Sequence, residues 1–275
     1  MFKTIAVLFV TLLSFETAYA LADEPRLKLG ADVNKEIKLD GNYWKGYVTD
    51  TKSILGTPSH WKKAPAIISI GVLLYNYDQD IKEWAQDSKT DTSIAIADVA
   101  EKFGNGLYVL PSLGAFYLYG HLAEDTKVTR TALLSLESFV VAGMFVQAIK
   151  VTGGRHRPNT NDKYNTWDGP SSSLDNLSFP SGHSQTAFSI ATVIATEYSA
   201  SNIVPPIAYG IATLAALSRV HDNAHWASDA FVGSAIGYLT AKAITSLHTT
   251  KQKSNTTVIP MTDGKNSSIS VIHTF

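Results

Sequence analysis

The chain has 275 residues, of which 45% are hydrophobic and 17% charged, and its formal net charge is −1. That charged fraction lies below the roughly 25% of an ordinary soluble domain and points to a large apolar core or a membrane, while the near-neutral balance without a long basic run excludes an electrostatic footprint for nucleic acid. The absence of cysteine excludes disulfides and thiolate metal sites.

Residues 1–20 read as a secretory signal, with Lys3 at a positive start, an apolar segment from Ile5 to Phe15 and the small-x-small pattern Ala18-Tyr19-Ala20. The apolar run is shorter than the roughly 18 residues a membrane span needs, so cleavage after Ala20 is expected; Glu16 fits the pattern poorly. Residues 21–63 are mixed and polar, with Tyr43, Trp44, Tyr47 and Trp61 among Gly, Asn and Asp, and predict loops with a short helix.

Residues 64–250 carry apolar segments of helical length: Ala64 to Tyr77, Thr92 to Phe103, Leu107 to Leu122, Thr131 to Lys150, His183 to Ser199, Val204 to Leu217 and Ser228 to Leu247. Few alternate with period two, and their Ala, Leu and Ile content favours helix, so the fold expected is an all-α bundle forming one domain. Between Asn159 and Ser178 the composition turns to Asn, Asp, Ser, Thr, Gly and Pro, the signature of a long loop that can wall a substrate entrance. In the tail, 251–275, Thr256 to Met261 and Ser268 to Phe275 flank Asp263-Gly264, a signal for a small C-terminal β-hairpin.

The stretches Phe103 to Ala123 and Tyr198 to Ser218 contain no Asp, Glu, Lys or Arg, but Pro111 with Gly114 and Pro205-Pro206 are expected to interrupt them. Glu137 and Glu197 lie inside other apolar segments, and a carboxylate at the centre of a spanning helix costs on the order of 3 kcal/mol. With a mean hydropathy of +0.01, the sequence favours a bundle in water or resting on a membrane surface, its glutamates facing solvent or a polar seam. An integral inner-membrane protein is the alternative.

Three segments combine cations, imidazoles and glycines in ways a core does not need. In Lys150-x6-Arg157-Pro158 an unbroken helix would put both cations on one side, although Gly153-Gly154 make a break plausible. Singly, such cations are more often solvated or dipole-stabilising groups. In Phe179-Pro180-Ser181-Gly182-His183 a turn opens a helix, whose free N–H groups form an anion site that Gly182 lets a ligand approach closely. The plain alternative there is an N-cap by Ser181 or Ser184. In Ser218-Arg219-x5-His225-x3-Asp229 the acid stands one helical turn beyond His225 and can hold the ring in one tautomer. Pooled, these groups are what in-line phosphoryl transfer requires: charge and N–H donors for the equatorial oxygens, a nucleophile, and a proton for the leaving oxygen.

In these positions the sequence resembles the type 2 phosphatidic acid phosphatase superfamily, which also holds bacterial acid phosphatases and vanadium haloperoxidases. The resemblance covers Lys150 to Asp229 and implies that family's helical bundle and metal-independent phosphatase activity. It implies His225 as a nucleophile forming a phosphohistidine, Asp229 as its orienting partner and His183 as the acid that later activates water. It implies Lys150, Arg157, Ser181, Gly182 and Arg219 as the phosphate-binding set, with no metal or cofactor and with vanadate bound as a phosphate mimic. Leu177-Ser178-Phe179 departs from the Gly-Ser-Tyr lead usual in the soluble acid phosphatases, and His225-Trp226-Ala227-Ser228-Asp229 looks more like the lipid-phosphatase branch. A phosphate ester, of a lipid or lipid-linked molecule, is therefore the expected partner, at the periplasmic side of a bacterial inner membrane. A broad-specificity acid phosphatase, a haloperoxidase and a non-catalytic relative are the alternatives. His60, His121 and His248 lack ligand-spaced neighbours and read as surface or capping residues, and Trp226 reads as packing.

Overall fold

The computed structural model describes residues 43–57, 62–249, 255–262 and 267–274. The signal read over 1–20, His60 and the Asp263-Gly264 turn lie outside them. The helices are α1 (Tyr43–Gly56), α2 (Ala64–Asn76), α3 (Asp78–Asp87), α4 (Asp91–Ala100), α5 (Gly106–Leu122), α6 (Thr126–Gly153), α7 (Gly182–Glu197), α8 (Val204–His221) and α9 (Ala227–Leu247). Short 3₁₀ turns lie at Glu101–Phe103, Pro158–Thr160 and Leu174–Asn176. Strands β1 (Asn255–Thr262) and β2 (Ser267–Thr274) pair antiparallel, from Asn255 opposite Thr274 to Thr262 opposite Ser267, as the hairpin signal predicts.

Local chemistry sets where these helices start. Asp125 accepts the N–H groups of Lys127 and Val128 at 3.0 Å each, Thr90 and Ser93 form a reciprocal capping box before α4, and prolines open α8 in the turn whose N–H groups have no intrahelical acceptor. Pro111 does not interrupt the helix as expected; α5 runs through it. The bond it forgoes is to the carbonyl of Leu107, which sits in the first turn and is 83% exposed, so solvent can take the acceptor.

The central helix is α7, packed by α6, α8 and α9. Its approach to α9 depends on glycine: a Cβ at Gly233 would stand 2.3 Å from the Ser181 carbonyl oxygen, and one at Gly237 2.3 Å from that of Gln185. One apolar cluster gathers Leu74, Ile81, Phe188, Tyr209 and Phe231, and a second gathers Ile54, Leu134, Val193 and Ile244. Each such side chain contributes about 1.5–3 kcal/mol on burial.

Among the described residues α6 and α9 are long and apolar enough to cross a membrane, and 50% and 61% of their most apolar windows are buried in the bundle. The two glutamates lie in polar seams between helices. Arg130 donates from Nε to both Glu197 carboxylate oxygens (3.2 and 3.1 Å), and Glu137 meets His248.

Candidate active site

The three motif segments meet at one end of the bundle. Helix α6 delivers Lys150 in its last turn and then stops at Gly154, a left-handed C-cap with φ +61°. Any side chain there would strike the Gly169 carbonyl, its Cβ only 1.9 Å from the oxygen. The two cations therefore do not share a helix; the chain reverses and brings Arg157 back on the following loop. That loop is pinned along its length: Ser178 N–H donates to the Arg155 carbonyl (3.0 Å) and Arg157 N–H to that of Asp175 (2.9 Å).

Lys150 and Arg157 both donate to the Leu177 carbonyl, at 2.6 and 3.3 Å, and Lys150 also reaches that of Ser178 at 3.2 Å. One ammonium proton of Lys150 remains for a ligand. Gly182, at the start of α7, faces the lysine, since a Cβ there would lie 3.9 Å from the Lys150 Cε. The N–H groups of Gly182 and His183 open this helix without intrahelical acceptors. Ser181 is fully buried as the N-cap, accepting from the Ser184 N–H at 3.3 Å and the Ser184 hydroxyl at 2.9 Å. Its hydroxyl proton is left to donate.

His225 is 4% exposed and precedes α9 rather than lying on it. Arg157 donates from an NH1 nitrogen 3.3 Å from His225 Nε2, which makes that nitrogen the acceptor and places the ring proton on Nδ1. Nδ1 stands 3.7 Å from Asp229 Oδ2, too far for a direct hydrogen bond. The distance has a cause. Asp229 occupies the third position of α9, and its Oδ2 already accepts the Trp226 N–H (3.0 Å) and the Ser178 hydroxyl (2.5 Å). The Ser178 oxygen lies 3.5 Å from Nδ1, between the two. Burial, then the charges of Lys150 and Arg157, lower the His225 pKa to about 3 against the pull of Asp229, so the imidazole is neutral with its Nε2 lone pair directed at the cations.

On the opposite side, His183 is half-buried with Nε2 3.4 Å from Glu101 Oε2, and an Arg219 terminal nitrogen lies 3.9 Å from the same oxygen. Arg219 is anchored by its Nε on the Ser218 hydroxyl (3.2 Å) and by Asp222, and its carbonyl accepts the N–H groups of Ala224 and His225 (3.0 and 3.2 Å). Burial and the charges of Arg219 and Arg157 lower the His183 pKa to about 4, with Glu101 pulling the other way.

Four participants escape sequence reading. Arg155 is completely buried and donates to Asp229 Oδ1 (2.6 Å), Asp78 Oδ2 (2.7 Å) and the Ser228 hydroxyl (2.8 Å), with its guanidinium among the rings of Tyr75, Trp167 and Trp226. Asp78, from α3, also accepts the Ser228 N–H at 2.9 Å. Burial raises the Asp78 pKa to about 6 in spite of Arg155. The other two are Glu101 and Ser178. Of the remaining histidines, His156 turns outward between Asp162 (2.7 Å) and Asp168 (2.9 Å), His221 bonds Ser93 (3.0 Å), and His121 stacks on Tyr117. Trp226 is packing, 1% exposed with its indole N–H on the His156 carbonyl. His248, read as a surface or cap residue, does cap α9, but folding supplies it with carboxylate neighbours from α1 and α6.

Residues 131–253 match the family model of the PAP2 superfamily. Over that span, somewhat under half of its length, the chain is similar to the PAP2 superfamily. The matched span contains all three motif segments. The lipid A 1-phosphatase of Porphyromonas gingivalis is 26% identical over 176 residues, 63% of this chain and 35% of that protein, so the chain spans about a third of that relative's length. The transmembrane PAP2-type phosphatidylglycerolphosphate phosphatase of Bacillus subtilis superposes with a TM-score of 0.54 at 21% identity, over 67% of this chain and 95% of that one. LpxE of Aquifex aeolicus superposes with a TM-score of 0.50 at 20% identity, over 61% and 94%. These likenesses show that the PAP2 helical bundle is the fold of this chain.

Proposed function

We propose that this protein is a phosphatase that removes phosphate from a lipid or lipid-linked ester through a phosphohistidine intermediate. The observation that carries the proposal is one neutral histidine, His225, beside Lys150 and Arg157, with the α7 start bonded to Asp229 behind it and with Arg219 beside a second histidine, His183. In the first step His225 Nε2 attacks phosphorus while Lys150, Arg157, Arg219 and the Gly182 N–H hold the equatorial oxygens, and Asp229 with Ser178 steadies the imidazolium that forms. His183 gives a proton to the departing alcohol oxygen. In the second step the same nitrogen takes a proton from water, which attacks the phosphohistidine and releases inorganic phosphate. Two displacements leave the configuration at phosphorus unchanged.

A lipid substrate is favoured by the similarity to a lipid A 1-phosphatase and a phosphatidylglycerolphosphate phosphatase and by an apolar groove of about 370 Å³ beside the site, lined by Ile96, Val99 and Phe103 of the α4 region and by Ile211 and Leu214 of α8. Its Phe103 end lies next to the turn carrying Glu101, which touches both His183 and Arg219. Export by residues 1–20 would place this site on the outer face of the inner membrane.

The test is phosphate release by the purified full chain from lipid A, phosphatidylglycerophosphate and water-soluble phosphomonoesters assayed side by side, with orthovanadate as inhibitor. The proposal expects a lipid phosphate to be preferred and vanadate to compete with it. Equal turnover of soluble esters, with recovery in osmotic shock fluid, would replace the lipid reading with a broad-specificity acid phosphatase. No hydrolysis of any ester would remove the enzymatic reading altogether.

A further inference from the structure

A second cluster of ionisable groups lies about 20 Å from Lys150, thirteen residues back along α6 at about 1.5 Å per residue. Asp50 of α1, Glu137 of α6 and His248 at the end of α9 each offer one ligand atom, and these atoms lie within 4.8 Å of one another. His248 Nε2 is 2.9 Å from Asp50 Oδ2 and 3.3 Å from Glu137 Oε2. The His248 carbonyl is held in turn by Arg130 at 3.1 Å, which fixes the backbone that carries the ring.

Hydrogen bonding alone does not complete this arrangement. Glu137 is 2% exposed, yet its Oε1 has no hydrogen-bond partner. A protonated His248 has one N–H at Nε2 to divide between two carboxylates, and although Asp50 and Glu137 also face each other, Glu137 Oε1 stays unmet. A buried carboxylate oxygen left in this way is a costly feature that folded proteins rarely keep without a partner. A divalent cation between the three groups answers each point. Its two charges balance the two carboxylates, the histidine contributes a neutral lone pair, and the second Glu137 oxygen joins the ligand set. The spacing suits a small ion: metal–ligand bonds of about 2.0–2.1 Å in a tetrahedral site set ligand atoms about 3.3–3.4 Å apart. Of the three separations, that between His248 and Glu137 already has this value, that between His248 and Asp50 must open by a few tenths of an ångström, and that between Asp50 and Glu137 lies within 4.8 Å. Two carboxylates and an imidazole are a donor set of the kind zinc takes.

We infer that Asp50, Glu137 and His248 form a divalent-cation site of the zinc type, separate from the phosphate pocket, which fastens α1 to α6 and to the end of α9. The site is independent of the phosphatase proposal, and either can fail without the other. Its role is structural: an ion bound only by the folded chain stabilises it, and here it would tie the first described helix to the far end of the bundle.

The test uses the full chain, stripped with EDTA and titrated with ZnCl2 alone by calorimetry. Wild type is expected to bind one Zn²⁺ per chain, and His248→Gln and Glu137→Gln to weaken it at least about a hundredfold, since even outer-shell partners are worth about 10–100-fold in metal affinity. His156→Gln is expected to leave binding unchanged, because that ring meets its two aspartates through different nitrogens and cannot offer both to one ion. Co²⁺ in place of Zn²⁺ should give the visible absorption of a four-coordinate site, and Zn²⁺ should raise the Tm of wild type but not of Glu137→Gln. Glu137→Gln preserves the side-chain shape, so it carries the test if His248→Gln does not fold. Absence of saturable binding at about 100 μM Zn²⁺, or binding that Glu137→Gln and Asp50→Asn leave within about twofold of wild type, overturns the inference and leaves a histidine bridging two carboxylates.

Discussion

His225 and His248 stand near opposite ends of the bundle, each beside a carboxylate, yet the first is neutral and the second protonated. Burial and two cations drive His225 down to about 3, whereas hydrogen bonds that the His248 ring donates to Asp50 and Glu137 raise it to about 9. A neighbouring acid therefore does not decide the state of either ring. Asp229 has its charge committed to Arg155, to Ser178 and to the head of α9, so what it supplies to His225 is mainly orientation. At the other end Asp50 and Glu137 both turn to the imidazole. In the two proposals one end receives an anion and the other a cation, and the cations around His225 make the difference.

The sharpest way to break this contrast is to remove the neutral ring. His225→Ala should abolish the covalent intermediate and lower kcat on the order of 10⁴-fold or more, measured by acid-quench trapping of labelled phosphoenzyme and by steady-state turnover. Retention of wild-type turnover would show that another group attacks phosphorus. Next in size is Arg155→Met, which leaves Asp78 and Asp229 buried without their shared cation. It should cost about 3–5 kcal/mol of stability by urea denaturation, with loss of activity in whatever fraction remains folded. A change below about 1 kcal/mol would mean that the two aspartates repair each other.

Arg219→Ala should lower kcat about 10²-fold with a smaller effect on stability, because its partners Asp222 and Glu101 are partly solvated. The smallest effect concerns pH. His183 must be protonated to donate, and its pKa near 4 in the empty site is held down by burial, Arg219 and Arg157. A bound phosphate dianion offsets those cations, so the alkaline limb should fall at higher pH in kcat than in kcat/KM. Glu101 raises the His183 pKa, and Glu101→Gln should therefore move both limbs to lower pH and reduce turnover severalfold near neutrality. Coincident limbs in wild type, or no shift in the variant, would take the proton from His183.

The residues legible beforehand are those whose roles follow from short-range spacing. A Pro-Ser-Gly-His turn announces a helix start wherever it folds, and the apolar lengths of α5 to α9 fall within a few residues of their observed ends. What stayed hidden depends on distance or on polarity. Helix α3 is DQDIKEWAQD, too charged to register as an apolar segment, and it buries only a narrow face including Asp78, Ile81 and Ala85. Arg155 stands in the gap between Lys150 and Arg157 and looks like one more basic residue of a loop; only contact with Asp78 of α3 and Asp229 of α9 explains its burial. Spacing also misled for His225 and Asp229. Four residues apart suggested a ring and an acid on one helix, but the helix begins at Ala227 and the acid is engaged in capping it.

The glycines of α9 bear on how relatives of this chain could differ from it. With Gly233 and Gly237 seating α9 directly on the α7 backbone, and the Ser181 N–H bonded to the Asp229 carbonyl at 2.9 Å, the turn that opens α7 and the proposed partner of the nucleophile are held as one block. No side chain can be added at that seam without parting them. New substrate shapes must be accommodated across the pocket, by α4, the Glu101 turn and the outer face of α8, where side chains can be exchanged while the reacting groups stay where they are.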